Sequence, residues 1–274
     1  MEEVAPAKIN LFLRVLRTRE DGFHEIETRM APISLYDSLQ VEPADAFEFR
    51  ADDPALPMGE DNLVVRAADL FFSRIKREPR VRIVLTKKIP HGAGLGGGSS
   101  DAAATLRLLN RFIDAKLPME ELSALAVKLG SDVPFFLSGG AAICRGRGEH
   151  IERALLPARL NLLLLKPPFG VATPWAYSRW GDAREIPDAS YSLQQFADQV
   201  FVNDLERPVF EKFVFLAHMK TWLLAQPQIA VALMAGSGST MFAILPDRMS
   251  ADALIAKARA ELDPALWARV CETL

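Results

Sequence analysis

Pro90-His91-Gly92-Ala93-Gly94-Leu95-Gly96-Gly97-Gly98-Ser99-Ser100-Asp101 is the stretch that decides the fold of this chain. It follows Val81–Thr86, an alternating run that reads as a strand half exposed to water. Glycine takes positive φ freely and lets main-chain N–H groups come close to a ligand. A helix is expected next, opening at a Ser-Ser-Asp cap and running from about Ser100 to Phe112. Its unpaired N–H groups and the positive end of its dipole would point at the same place. Strand, glycine loop and helix start together make a phosphate cradle. A plain surface turn is a poor alternative, because so many glycines cost backbone entropy with no packing in return.

Other glycine-rich phosphate loops fit less well. Gly92-x-Gly94-x-x-Gly97 matches the dinucleotide fingerprint in spacing alone. That fingerprint needs a following strand that ends in a ribose-binding acid. Here the next periodic stretch, Met119–Leu129, is again helical and stops at Gly130, and Asp114 stands between two helices. The Gly-Lys-Ser/Thr of a Walker loop is missing, as are the His-Arg-Asp and Asp-Phe-Gly of protein kinases.

Outward from the loop, Ile9–Leu16 and Ile33–Glu42 read as strands with a turn at Asp21-Gly22-Phe23-His24. Asn62 is placed to cap a helix reaching about Lys76. Gly139–Glu152 reads as a hairpin, and a domain boundary is expected near Arg153–Arg159, with a buried strand after Pro157. The second part reads as strand Leu160–Lys166, a helix from Thr173-Pro174, one helix over Pro208–Ala225, strands Ile229–Met234 and Met241–Leu245, and a helix from Ser250. Strands and helices mix without steady alternation, which favours α+β over a doubly wound sheet. With 32 basic and 35 acidic residues among 274, the net charge of −3 argues against a nucleic-acid partner. The apolar run Leu160–Leu165 is too short to span a bilayer. Two cysteines without metal-ligand spacing, and no leader pattern, suit a cytoplasmic protein.

The run Pro90–Ala103 resembles the phosphate loop of the GHMP kinases, the small-molecule kinases that include galactokinase, homoserine kinase, mevalonate kinase and phosphomevalonate kinase. Further stretches resemble that family in the same order. They are Ala5-Pro6-Ala7-Lys8-Ile9-Asn10-Leu11, Asp21-Gly22-Phe23-His24, Asp61-Asn62-Leu63, Leu129-Gly130-Ser131-Asp132-Val133-Pro134, Asn203-Asp204-Leu205-Glu206 and Gly236-Ser237-Gly238-Ser239. The resemblance implies a two-domain α+β fold, with an ATP-binding part over 1–152, a substrate-binding part over 153–274 and the active site in the cleft between them. It implies ATP with Mg²⁺, and a small-molecule acceptor, a cytidine diphosphate-linked methylerythritol, phosphorylated on its 2-hydroxyl for isoprenoid precursors. It implies no nucleic-acid or membrane partner, and a monomer or homodimer.

Residue by residue, the resemblance places the ATP phosphates on Pro90, His91, Gly92, Ala93, Gly94, Leu95, Gly96, Gly97, Gly98, Ser99 and Ser100, with Asn62 near the adenosine. Asp132 takes the acceptor's proton and Lys8 supplies a point charge. Asn10 touches the methylerythritol part, His24 bonds the cytosine edge between the stacking rings of Phe23 and Tyr177, and Gly236, Ser237 and Gly238 close over the diphosphate. The residues alone also allow plainer roles. Lys8 can be a strand-edge lysine, Asp132 a turn aspartate, His24 a partly buried polar side chain and Asn62 only a cap. Asp101 can be a favourable first-turn acid, Asn10 and Asn203 can satisfy main-chain groups, and Gly236–Gly238 can be a simple hairpin.

Overall fold

In this computed structural model, residues 1–156, 158–246 and 251–274 are described. A long hairpin opens the chain, β1 (Glu2–Thr18) against β2 (His24–Pro43), turning around Gly22. Then come β3 (Glu48–Ala51), α1 (Leu63–Ile75) and β4 (Val81–Thr86), with β4 antiparallel to β2 and parallel to β3. Helices α2 (Gly97–Phe112) and α3 (Met119–Leu129) and a 3₁₀ turn, Pro134–Leu137, lead into the hairpin β5 (Ala142–Gly146) and β6 (His150–Arg153). After β7 (Asn161–Lys166) and α4 (Thr173–Ser178), a short hairpin forms from β8 (Gln194–Phe196) and β9 (Gln199–Asn203). The rest is α5 (Glu206–Lys212), α6 (Val214–Leu224), β10 (Val231–Met234), β11 (Met241–Leu245), α7 (Ala251–Glu261) and β12 (Trp267–Glu272). One eight-stranded sheet runs β3-β4-β2-β1-β9-β8, with β5 joined to β2 and β6 to β5, and a four-stranded sheet runs β10-β11-β7-β12. The architecture is α+β, as the mixed pattern of elements required.

Alternation along the strands sets the layers. Leu162 and Leu164 of β7 pack with Ala7, Ile9 and Leu11 of β1 and Ile33 of β2, so the two sheets share a core. Leu163 and Leu165 pack instead with Val209, Leu216 and Leu254 of α5, α6 and α7. A strand buried on both faces needs an unbroken apolar run, which is what Leu162–Leu165 provides. Beyond β4, Ile83 and Leu85 pack with Phe71, Leu106 and Leu122 of α1, α2 and α3. Each such fully buried side chain contributes about 1.5–3 kcal/mol. In β1 the odd-numbered positions take the core, leaving Lys8 and Asn10 together on the other face.

Several elements differ from the sequence expectation. α2 begins at Gly97, not near Ser100; Gly96 occupies the N-cap position at φ 70° and no side chain caps the helix. The Ser-Ser-Asp cap is therefore corrected: glycine alone gives the left-handed entry, and Ser99, Ser100 and Asp101 already lie in the first turn and a half. The helix expected over Pro208–Ala225 is two helices, α5 and α6. They part at Phe213, which leaves helical geometry (φ −111°, ψ 66°) while its ring stacks on Phe169. β9 returns to β1 in parallel, Phe12 opposite Val202, a pairing 190 residues apart that no local pattern announces. Pro157 and Ser250, named in the sequence expectations, lie outside the described residues.

Candidate active site

Lys8 and Asn10 look into a cavity of about 690 Å³ that is also lined by the glycine loop, the Gly22–His24 turn, Asp132 and the 236–237 turn. Lys8 is 4% exposed. Its Nζ donates to Asn10 Oδ1 at 2.7 Å, and Asn10 Nδ2 donates to Thr28 Oγ1 at 2.8 Å. Thr28 in turn donates to the Phe12 carbonyl at 2.6 Å, so a buried polar chain fixes the ammonium. Asp132, on the turn between α3 and the 3₁₀ segment, brings Oδ2 to 3.5 Å from Lys8 Nζ with its side chain 38% exposed. Positions 124 residues apart in sequence thus meet as a lysine held from behind and a carboxylate open to the cavity.

The glycines are where other backbone comes closest. Lys8 N donates to the Leu95 carbonyl at 2.9 Å, tying β1 to the loop. A Cβ on Gly96 would lie 3.0 Å from Lys8 Cγ and 3.0 Å from Phe136 Cζ. One on Gly94, at φ 75°, would collide with the Ala235 carbonyl and lie 2.9 Å from Gly238 N. One on Gly236 would lie 3.0 Å from the Gly94 carbonyl oxygen and 3.1 Å from Lys8 Nζ. The two glycine turns therefore touch each other directly above Lys8. In α2, Ser100 N is bonded to the Gly96 carbonyl at 2.9 Å, which leaves the first-turn N–H groups of Gly97, Gly98 and Ser99 for a ligand.

Asn62 does both things considered for it. It caps α1, its Oδ1 accepting from Val64 N at 2.9 Å, and it lines the cavity. Pro90 through Ser99 line the cavity too, as do Asn10, Phe23, His24, Tyr177, Gly236 and Ser237. Ser100 and Gly238 stand off the cavity. Ser100 is fully buried on the inner side of α2, and Gly238 closes its own turn, its N–H donating to the Ala235 carbonyl at 2.9 Å; neither lines the cavity. Asn203 holds the neighbouring backbone and also stands off the cavity.

At the opposite end, the His24 ring lies 5.4 Å from Tyr177 and 6.0 Å from Trp180. Burial lowers the His24 pKa from its usual value, so its neutral imidazole is favoured. Burial raises the Tyr177 hydroxyl, helped by the Asp132 charge. Phe23 is half exposed and carries the Arg147 guanidinium 4.5 Å over its ring. Thr173 Oγ1 and Ser237 Oγ share a hydrogen bond of 2.7 Å, joining α4 to the second glycine turn.

Sequence reading missed Arg147 and a charged cluster under the loop. Lys87 lines the cavity and bonds both Asp37 and Asp101, the latter at 2.8 Å. Asp37 also accepts from Lys88 N (2.6 Å) and Ile89 N (2.9 Å), which anchors the start of the glycine loop. Burial raises the Asp101 carboxyl to about 7 against the pull of Lys87. Lys87 directly follows β4, three residues before Pro90, and Arg147 stands between two glycines, which are the only local signals either residue gives. Among the described residues, no group of three His, Cys, Asp or Glu side chains could hold a metal ion, and no helix is long and apolar enough to cross a membrane.

Residues 62–140 match the model of the GHMP kinases N terminal domain. A 4-diphosphocytidyl-2-C-methyl-D-erythritol kinase of Methylacidiphilum infernorum (isolate V4) is 44% identical, over 98% of this chain and 96% of its own. A crystal structure of 4-(cytidine 5'-diphospho)-2C-methyl-D-erythritol kinase superposes with a TM-score of 0.79 at 37% identity, covering 99% of both chains. The Methanococcus jannaschii mevalonate kinase, at 12% identity and a TM-score of 0.67 over 100% of this chain and 98% of its own, shares the fold.

Proposed function

This chain belongs to the 4-diphosphocytidyl-2-C-methyl-D-erythritol kinase family of the GHMP kinases, and from that premise we propose that it moves the γ-phosphoryl group of ATP onto the 2-hydroxyl of 4-diphosphocytidyl-2-C-methyl-D-erythritol. The observation that carries the chemistry is the buried Lys8 ammonium 3.5 Å from the accessible Asp132 carboxylate, where the two glycine turns meet. An alcohol oxygen is a weak nucleophile until its proton has somewhere to go. Asp132 accepts that proton as the oxygen–phosphorus bond forms and the bond from phosphorus to the ADP oxygen breaks. Lys8 stabilises the negative charge on the transferring group. The free N–H groups of Gly97, Gly98 and Ser99 hold the ATP phosphates, with Asn62 beside the nucleoside.

Mg²⁺ accompanying ATP would neutralise the negative charge on the phosphates that the loop holds. At the far end, the neutral His24 ring reads the cytosine edge and Phe23 and Tyr177 take its faces. We assign the phosphate-holding role to residues 1–152 and much of the acceptor-holding role to 153–274, with the Gly22–His24 turn, Asn10 and Asp132 reaching across from the first part.

Asp132→Ala tests the assignment. ADP release with the diphosphocytidyl acceptor falls by about 10²–10⁴-fold while ATP binding is retained. Wild-type turnover in the purified, folded variant would remove Asp132 from the role of base.

A further inference from the structure

Asn203-Asp204-Leu205-Glu206 forms no part of the cavity lining, yet its polar side chains end on the elements that do. Asn203 is 4% exposed at the end of β9. Its amide nitrogen donates to the Met234 carbonyl at 2.8 Å and to the Gly236 carbonyl at 2.7 Å, and its Oδ1 accepts from Leu205 N at 2.9 Å. Glu206 is 2% exposed, accepts from Met234 N at 2.9 Å and pairs its other oxygen with the buried Lys220 at 2.5 Å. Both main-chain groups of Met234 and the carbonyl of Gly236 are therefore held by one four-residue stretch.

The same stretch is fastened to β1. Asp204 accepts from Val15 N at 2.9 Å and from Arg14 Nη1 at 2.7 Å. Lys8 and Asn10 lie on that strand. Their polar atoms, Lys8 Nζ and Asn10 Oδ1, would be 3.1 Å and 3.4 Å from a Cβ on Gly236. One segment thus spans the strand that carries the lysine and the turn packed against it. A buried ion pair is replaced by apolar side chains at little loss in many proteins. Lys220 therefore needs Glu206 for charge balance, but the turn needs Glu206 only as the acceptor for the Met234 N–H.

We infer that Asn203 and Glu206 are positioning residues that set the height of the Ala235–Gly238 turn over Lys8, and so the fit of the acceptor's diphosphate. This rests on the reading above that the turn faces the acceptor. Neither residue touches substrate.

Three variants and a reference test it. Asn203→Asp keeps the shape and removes both donors. Glu206→Leu with Lys220→Met removes the acceptor for Met234 N–H and fills the space. Glu206→Gln with Lys220→Met restores that acceptor without the charge. The expected result is a fall of about tenfold or more in kcat/KM for the diphosphocytidyl acceptor in the first two, carried by KM, with recovery in the third. The dissociation constant for an ATP analogue stays within about threefold in all of them, which a general loosening of the fold would not allow.

Gly236→Ala is the reference, because it perturbs the turn directly. If Gly236→Ala weakens acceptor kinetics while Asn203→Asp and the Leu/Met pair match wild type, the positioning role is overturned and the acceptor-facing turn stands. If Gly236→Ala is folded and leaves acceptor kinetics untouched, the turn does not face the acceptor and both ideas fail. Should Asn203→Asp not fold, the Leu/Met pair against the Gln/Met pair decides, and equal acceptor kinetics in those two overturns the proposal.

Discussion

Gly94→Ala would bring a new Cβ closer to other backbone than at any other glycine, and its effect can be worked from the structure. Gly94 sits at φ 75°, where an L side chain costs about 1–2 kcal/mol. The added methyl would collide with the Ala235 carbonyl and come to 2.9 Å from Gly238 N, both main-chain atoms that no rotamer change can move aside. Forcing a methyl into packed backbone adds about 1–3 kcal/mol. The sum is about 2–5 kcal/mol, a large share of the roughly 5–15 kcal/mol that holds a protein folded. At about 2–4 °C per kcal/mol for a chain of this size, melting falls by roughly 4–20 °C.

Gly139→Ala is the control, since Gly139 has φ 79° and open space where its Cβ would go. It carries the backbone term alone, about 1–2 kcal/mol. Urea unfolding with matched slopes, supported by thermal melts, measures the difference between the two variants. Phosphoryl transfer should suffer only in Gly94→Ala, because the collision separates the two glycine turns above Lys8. Equal losses of stability in both variants would refute the contact between the turns.

Lys8→Met removes the charge beside Asp132 and leaves Asn10 Oδ1 without its donor; kcat in an ADP-release assay falls by about 10²-fold or more while melting changes little. His24→Phe keeps a ring against Tyr177 but loses the edge contacts, so the acceptor KM rises and competition by cytidine diphosphate weakens, with the KM for ATP unchanged. In the wild type, burial holds the His24 pKa below its usual value of 6.5, so acceptor KM is flat above pH 7 and rises only as acid protonates the ring. Asp101→Asn tests the cluster under the loop. The folded Asp101 pKa, near 7, lies above its ordinary 3.8, so its contribution is fully present at low pH and is lost as pH rises through 7. The variant flattens that part of the stability profile in urea melts between pH 4 and 8, and an unchanged slope would show that Lys87 fully compensates the buried carboxylate.

The sequence was most legible where a single backbone requirement dictates residue type. Met119–Leu129 and Met241–Leu245 appear with the bounds their periodicity predicts, and Asn62 caps α1 as its side chain suggests. The glycine loop was readable because glycine is needed wherever φ is positive and backbone packs on backbone. Boundaries were harder. α2 starts earlier than a serine cap implied, since Gly96 itself makes the entry, and the helix break at Phe213 follows from a ring stacked on Phe169 across the fold.

Residue types and their spacing therefore determined an α+β chain with a glycine loop after a strand, and the resemblance of its motifs to the GHMP kinases added the kinase reading and a short list of polar residues suited to the chemistry. Tertiary structure decided which of those residues meet. Lys8 and Asp132, or Lys87, Asp37 and Asp101, are brought together by strand pairings and helix packing between distant segments. It also decided that Ser100, Gly238 and Asn203 stand behind the cavity wall. The physical reason is that periodicity and φ preference act over a few neighbouring residues, whereas the direction a polar side chain faces is set by the sheets and helices that close around it.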